Sequence, residues 1–469
     1  MAESLDIIQY NKMINTKIPK LVTSLAIPAV ISMLVTAIYN MADTYFVGTI
    51  GPVATAAVGI VFSLQAIIQA VGFTLGMGSG SWISRLLGKK ENEKAMEVAN
   101  TALLSALIFG ILYALFGLIF IDWFMRILGS SETILPYARN YATFILIGSP
   151  IMAGSFVLNN LLRAEGKTSL SMIGLCTGAI INIGLDPVFI SSWGLNLGIS
   201  GAAIATIISQ FISFSILLSF FLSGKSIIKI KLKYVSKKIN TLFEIVKIGL
   251  PSFARQVLAS VATIILNNVA LSYGSDAAVA AISISTKIYM LVFSVSLGMG
   301  QGFQPVVGYN YASNHLKRVR QAVWFTYLMM TIVLTVSGIF CFIFSEFFID
   351  LFVQNDIEGG LETIEIGKEV LKYNSIVFPL LSLNVITNMT YQSIGMKWKS
   401  TLLSSCRQGI FFIPIIILVP MALELLGVEI AQASADLCTF VFTIPFFVLF
   451  MRKLRLASKM EEAKMQEAI

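Results

Sequence analysis

The stretch IPAVISMLVTAIYNMADTYFVG, residues 27–48, decides the class of this protein. It is an apolar run long enough to cross a bilayer, which requires roughly 17–25 residues, and it carries a carboxylate, Asp43, near its end. A charged side chain at the bilayer centre costs at least about 2.5–3.5 kcal/mol, even on lenient insertion scales. Asp43 is therefore either compensated by its neighbours or a functional group.

Apolar runs of this kind recur along nearly the whole chain. Of its 469 residues, 56% are hydrophobic and 12% are charged, whereas a soluble protein carries about 25% charged residues. The residues before position 21 include Glu3 and Asp6, which a signal peptide would lack, so we expect no cleavage. We predict an all-α integral membrane protein with twelve transmembrane helices, at residues 21–47, 53–83, 98–121, 136–160, 168–190, 198–222, 242–273, 277–306, 322–345, 369–391, 400–422 and 428–451.

The charges alternate between the two sides of the predicted bundle. Lysines and arginines cluster at both termini and in every second loop, whereas the loop after the ninth span collects the acids Glu346, Asp350, Asp356, Glu358, Glu362 and Glu365. This positive-inside pattern predicts that both termini are cytoplasmic. The same placement explains the net charge of +8 without a nucleic-acid partner, and we expect none.

The two halves of the chain resemble each other. LAIP, which ends at Pro28, recurs as IGLP, which ends at Pro251, and LGMGSG (75–80) recurs as LGMGQG (297–302). Three further positions recur in the same order: Pro150, Asn159 and Gly166 correspond to Pro379, Asn388 and Gly395. We predict two pseudo-symmetric six-helix lobes, at 1–222 and 242–469, joined by a basic cytoplasmic linker at 223–241. Parallel repeats of this kind are typical of transporters that work by alternating access.

Intramembrane carboxylates are the candidates for energy coupling. The motif EGKTS (165–169) has Leu161 where a phosphate-binding loop needs its first glycine, so we expect an ion gradient and no nucleotide. At 1.5 Å per residue, Asp43 and Asp186 lie about 6 Å from the outer ends of their helices, and Asn182 and Thr206 about 12 Å. These four residues predict one oxygen-rich layer that suits Na⁺ or H⁺. Hydrogen bonding between helices is the structural alternative.

Other classes of function lack their signatures. No nucleophile–base set and no metal-ligand cluster is evident, so we expect no enzyme, no cofactor and no metal beyond Na⁺ at the four residues above. A channel remains open in principle.

Four stretches resemble the multidrug and toxic compound extrusion (MATE) family: 27–48, LRAEGKTSLSM (162–172), NIGLDP (182–187) and GISGAAIATIISQ (198–210). The resemblance covers about 20–450 and is closest to the bacterial DinF-like branch, with the MepA-type exporters of Gram-positive bacteria. It implies two bundles in a V shape in the plasma membrane, a monomer, and export of amphipathic, often cationic drugs in exchange for H⁺ or Na⁺. By motif position, the coupling residues of this branch fall on Asp43, Asn182, Asp186 and Thr206.

Pro28 is a candidate conformational residue. It removes a backbone hydrogen bond from the first helix, and the resemblance implies that this helix bends when the cation binds. A static kink is the alternative interpretation.

The second half departs from the sodium-coupled NorM branch of the family. That branch places acids on the seventh and tenth helices, where this chain has Arg255, Gln256, Asn384 and Asn388, which argues against coupling of that style in this half. We predict that six polar residues contribute to a substrate cavity: Asn159, Arg255, Gln256, Lys287, Asn384 and Asn388. Arg255 and Lys287 either face the pathway, where they repel cations or contact an anionic group, or tie helices together. The alternative function is a flippase or exporter of a lipid-linked or anionic amphiphile.

Overall fold

The computed structural model describes residues 5–191, 194–353 and 360–467, and these residues contain helices and no strand. The predicted acids Asp356 and Glu358 lie outside the described residues. The helices are α1 (Leu5–Asn15), α2 (Ile18–Gly48), α3 (Pro52–Gly88), α4 (Asn92–Ile119), α5 (Ile121–Ile127), α6 (Leu135–Ala164), α7 (Thr168–Ile190), α8 (Gly198–Leu222), α9 (Ile239–Tyr273), α10 (Asp276–Ala312), α11 (Leu316–Ile343), α12 (Ser345–Asp350), α13 (Gly360–Ser393), α14 (Lys397–Ser405), α15 (Ile413–Leu418), α16 (Pro420–Glu429) and α17 (Ala431–Glu467), with a 3₁₀ turn at Leu232–Tyr234 and a π-helical segment at Cys406–Phe412.

Twelve of these segments are long and apolar enough to cross a membrane, which confirms the predicted number of spans. Their ends differ from the prediction. Helix α4 begins at Asn92 and not at 98, and α13 begins at Gly360 and not at 369. The first turn of α4 carries Glu93, and the first turn of α13 carries Glu362. Acids are favourable near a helix N-terminus, so the helix continues into water past the apolar run from which its span was predicted.

The repeat extends to side-chain geometry. In each half, three phenylalanines link the third span to the short helix that follows it. The two sets are Phe116, Phe120 and Phe124 at α4–α5, and Phe340, Phe344 and Phe348 at α11–α12. The centres of the first and second rings lie 4.8 Å apart in the first half and 4.9 Å apart in the second, and the ring planes are tilted by 55° in both. The centres of the first and third rings lie 5.6 Å apart in the first half and 5.5 Å apart in the second.

Equivalent asparagines make the same bond in both halves. The Asn159 amide donates to the Ser171 carbonyl at 3.2 Å, and the Asn388 amide donates to the Ser400 carbonyl at 2.7 Å. Each bond ties a half's fourth span to its fifth. The pseudo-symmetric fold is therefore present, whereas the exact domain boundaries at 222–223 and 241–242 stay a prediction.

Glycines bring the two halves into close contact. A Cβ added at Gly298 or Gly302 would lie 2.5 Å from the Val30 Cα or 2.6 Å from the Ala26 Cα, so α10 crosses α2 backbone to backbone. Helices α3 and α9 cross in the same way, because a Cβ at Gly249 would overlap the Thr74 carbonyl oxygen.

Helix α1 bridges the halves at the end of the bundle that holds the N-terminus, which we call the terminal face. The Gln9 amide donates to the Glu165 carbonyl at 2.7 Å, which attaches α1 to the first half. From the second half, Asn310 donates to the Met13 carbonyl at 3.1 Å and Arg318 donates to the Thr16 carbonyl at 2.7 Å. This helix precedes the first predicted span and was not predicted, because it is weakly amphipathic and depends on tertiary partners on both sides.

Two more bonds join the halves close to α1. Arg163 of α6 bonds the side chain of Gln301 on α10, and the Arg85 guanidinium donates to the Ser393 carbonyl at 2.6 Å. The terminal face is therefore closed by side chains from both halves.

Candidate functional site

A cavity of about 130 Å³ lies inside the first half, among α2, α3, α6, α7 and α8. Met33, Phe73 and Phe156 contribute apolar surface, and serine, threonine, asparagine and glutamine side chains, such as Gln65 and Gln69, make up about half of the lining. Sites for small organic molecules combine apolar surface with polar groups that orient the ligand.

A buried polar layer adjoins this cavity. Asn182 and Asp186 stand one turn apart on α7, and the Asn182 amide donates to Asp186 Oδ1 at 3.2 Å and to Thr206 Oγ1 of α8 at 3.5 Å. All three side chains are buried, and Asn182 and Thr206 line the cavity. The two helices approach closely at Gly178, where a Cβ would lie 2.7 Å from the Ser213 Cβ. The small residue thus brings the polar faces of α7 and α8 together.

Asp43 of α2 completes the layer from the other side. Its carboxylate is an electrostatic neighbour of Asp186, so the structure brings together all four residues that the sequence predicted as a coupling site. Three buried acceptor oxygens have no hydrogen-bond partner: Asp43 Oδ1, Asn182 Oδ1 and Asp186 Oδ2. Buried acceptors without donors are rare in folded proteins. A proton or a small hard cation would satisfy them, but the role of the four residues stays a prediction.

Two tyrosines that the sequence analysis missed flank the carboxylates. Tyr39 on α2 and Tyr141 on α6 are electrostatic neighbours of both Asp43 and Asp186. Tyr39 is one turn before Asp43, so the same helical spacing that joined Asn182 to Asp186 could have identified it.

Pro28 lies inside α2, between the two points where α10 touches this helix. The Ser32 hydroxyl donates to the Pro28 carbonyl at 2.9 Å, and the helix continues without interruption. The part of α2 beyond Val30 carries the cavity residues Met33 and Tyr39. Bending at Pro28 stays a prediction, and the structure limits its effect to that outer part.

The candidate cavity residues divide between two sites. Asn159 lines the first cavity. Arg255, Asn384 and Asn388 line a second, smaller cavity in the second half. Gln256 and Lys287 are not among the lining residues of the cavities described here, and Lys287 is exposed. A substrate role for each of the six stays a prediction.

A buried ion pair in the second half was missed. Arg407 Nε donates to Asp436 Oδ1 at 2.9 Å, and Tyr289 donates to Asp436 Oδ2 at 2.6 Å. Arg407 also bonds the Tyr289 hydroxyl and lies 3.9 Å from the centre of the Phe293 ring. Both charged residues fall within predicted spans, so the argument applied to Asp43 could have found them.

Comparisons with known proteins point to one family. The sequence profile of the MatE family matches residues 28–188 and 251–418. The chain is 26% identical over 426 residues to the multidrug export protein MepA of Staphylococcus aureus (strain MRSA252), which covers 90% of this chain and 92% of that protein. It is 27% identical over 433 residues to MepA of Staphylococcus haemolyticus (strain JCSC1435), which covers 92% and 93%.

A solved structure shares the fold. It is described as the outward-facing conformation of a multidrug resistance MATE family transporter of the MOP superfamily. The TM-score is 0.90 at 26% identity, and the match covers 97% of this chain and all of that one.

Proposed function

Because this chain belongs to the MatE family of membrane transporters, we propose that it exports amphipathic, often cationic drugs across the bacterial plasma membrane in exchange for H⁺ or Na⁺. The observation that carries the proposal is the pair Asp43 and Asp186, whose unpartnered oxygens lie beside a cavity with both apolar and polar walls. The names of the Staphylococcus relatives support a drug as the substrate.

The orientation follows from charge. The terminal face is the side with the basic loops and, in our proposal, lies in the cytoplasm as the positive-inside rule predicts. Contacts between the halves close this face, and the likeness to an outward-facing structure supports the same conformation here. Drug in the first cavity would therefore leave toward the outside.

Neutralisation of the carboxylates supplies the coupling. Two neighbouring carboxylates repel each other, and burial disfavours their charged forms, so a proton or Na⁺ arriving from outside is held between them. The outer part of α2 carries Asp43 and cavity-lining residues together. Any movement of this segment on neutralisation changes the cavity wall and favours release of the drug.

The available driving force is sufficient. Each elementary charge that crosses 100 mV supplies about 2.3 kcal/mol, and each pH unit supplies about 1.4 kcal/mol. One or two protons therefore sustain drug concentration ratios of roughly tens to thousands.

The test is transport by the purified chain in proteoliposomes, with pH and sodium gradients imposed separately. We expect drug accumulation to follow one of the two gradients. We expect Asp43→Asn and Asp186→Asn each to reduce gradient-driven transport at least about tenfold, since each removes a titratable cation ligand.

The control is Asp276→Asn, which removes the same charge from an exposed residue at the start of α10. It should leave transport unchanged. Retention of gradient-driven transport by both Asp43→Asn and Asp186→Asn would refute the coupling assignment.

A further inference from the structure

The second cavity carries a charge opposite to that of the first. Its polar lining includes two guanidinium groups, Arg255 of α9 and Arg407 of the π-helical segment, and the amides of Asn384, Asn388 and Gln408. Its lining includes no acidic residue. The first cavity instead adjoins two carboxylates.

The charge of Arg407 is compensated within the protein. Asp436 accepts from Arg407 Nε at 2.9 Å and from the Tyr289 hydroxyl at 2.6 Å, so both of its oxygens are used. The Phe293 ring covers the guanidinium at 3.9 Å. Arg407 and Asp436 are thus a neutral unit in the cavity wall.

Arg255 has no such compensation. In the described part of the chain it forms no salt bridge, and its closest polar contact is from Nη2 to the thioether sulfur of Met77, at 3.7 Å. A thioether is a weak acceptor. The cavity therefore carries a surplus positive charge that only a ligand or solvent can balance.

Arg255 also stands where the two halves meet. Ser252, one turn earlier on α9, donates to the Met77 sulfur at 3.2 Å. Gly249, a further turn back, lies against Thr74 of α3. Arg255 is therefore the first charged residue on α9 after the contact of Gly249 with α3.

We propose that this cavity binds the anionic oxygen group, a carboxylate in the first instance, of an amphipathic ligand. The planar guanidinium of Arg255 forms the ion pair, since its donors match a carboxylate. The Asn384 and Gln408 amides add polar contacts, and Leu297, Val385 and Met389 provide apolar surface beside them. The two halves then recognise opposite charges, and zwitterionic compounds become substrates. That zwitterionic compounds are exported rests on the proposed function, whereas binding of the anionic group does not.

The experiment measures equilibrium binding to the purified full chain in phosphatidylcholine nanodiscs by fluorescence anisotropy. The probes are rhodamine B, which has a free carboxylate, and its ethyl ester, which is a cation of nearly the same shape. We expect Arg255→Gln to weaken rhodamine B binding about tenfold, as for loss of one charge-assisted hydrogen bond. Binding of the ester should change less than about twofold.

The matched control is Lys453→Gln, which removes an exposed cation from the same half outside this cavity. It should leave both affinities unchanged, and Arg255→Lys should lie between wild type and Arg255→Gln. Preserved ester binding shows that the variants are folded. An equal loss for both dyes, or none for either, overturns the proposal.

A second arm separates a soluble carboxylate from a lipid headgroup. If phosphatidylglycerol in the nanodisc displaces rhodamine B from wild type and not from Arg255→Gln, the cavity takes lipid phosphate as well. If it has no effect, the site is selective for the carboxylate, and either result supports an anion site. Because no gradient is used, absence of coupled transport in proteoliposomes would refute the proposed function and leave this site intact.

Discussion

At the scale of single residues, carboxylates inside the membrane differ in whether their oxygens have donors. Asp436 uses both oxygens, one with Arg407 and one with Tyr289. Asp43 and Asp186 each keep one oxygen without a partner. The first arrangement holds helices together, whereas the second leaves room for a proton or a cation. The partners of each oxygen, more than the burial of the residue, are the basis on which we propose a structural role for Asp436 and a coupling role for Asp43 and Asp186.

This distinction predicts the stability of Asp436 variants. Asp436→Asn removes the counter-charge of Arg407 and should destabilise the fold by about 3–5 kcal/mol, because a buried charge is left unpaired. The double variant Arg407→Met, Asp436→Leu removes both charges and should recover most of that loss. Thermal unfolding midpoints in detergent measure both effects, with Asp276→Asn as the exposed control. A double variant no more stable than Asp436→Asn would contradict the structural role.

At the scale of helices, the crossings of α2 with α10 and of α3 with α9 hold the halves together. Both depend on glycines that allow backbone contact, at Gly298 and Gly302 in one crossing and at Gly249 in the other. Close helix contact through small residues is the main source of helix association in lipid, where the hydrophobic effect contributes little. We therefore expect a larger side chain at these crossings to lower the stability of the fold more than one at other positions.

Gly249→Ala tests this. The added Cβ overlaps the Thr74 carbonyl, which is backbone and cannot rotate away. We expect a loss of about 1–3 kcal/mol, as for other overpacked sites, read as a lower thermal unfolding midpoint. The control is Gly59→Ala on α3, which meets open space and should leave the midpoint unchanged or raise it. Equal midpoints for the two variants would show that α3 and α9 can move apart at this crossing without loss of stability.

The sequence predicts how deep a residue lies along its helix better than it predicts which face of the helix the residue occupies. The apolar runs gave the twelve spans, and depth placed Asp43, Asp186 and Thr206 in one layer. Arg255 and Lys287 were both predicted to contribute to a cavity, yet Arg255 lines one and Lys287 is exposed. The direction in which a side chain points from its helix depends on how that helix packs against others, and the sequence of one span does not determine it. The contact between Arg407 and Asp436 depends on the orientation of two helices and was therefore not predicted.

At the scale of the whole molecule, polar contacts between the two halves close the terminal face. Arg163 with Gln301, Arg85 with the Ser393 carbonyl, and the bridge through α1 all lie on one side. These are polar bonds, which exchange with water at a modest net cost. Alternating access requires such a closure to be reversible.

Gln301→Ala should loosen this closure. A cysteine placed at Ser81, which lines the small cavity beside Arg163 and Gln301, should react several-fold faster with a water-soluble maleimide, at about 1 kcal/mol per lost bond. The reactivity of the native cysteines is subtracted with a variant that lacks the Ser81 substitution.

The control is Thr331→Ala on α11. The Thr331 hydroxyl lies 2.8 Å from the Ser382 hydroxyl, both residues belong to the second half, and neither lines the cavity that holds Ser81. This variant should leave the reaction rate at wild-type values. Equal rates for Gln301→Ala and Thr331→Ala would mean that the bond between the halves does not restrain opening.

Helix α1 has a practical consequence for reagents. It is short, it lies at the terminal face, Gln9 bonds the first half, and side chains of the second half bond the carbonyls of Met13 and of Thr16, just after the helix. Under the proposed alternating access, an antibody fragment raised against this segment would restrict the relative movement of the two halves without occupying the first cavity. Inhibition of that kind would not depend on which compound is transported.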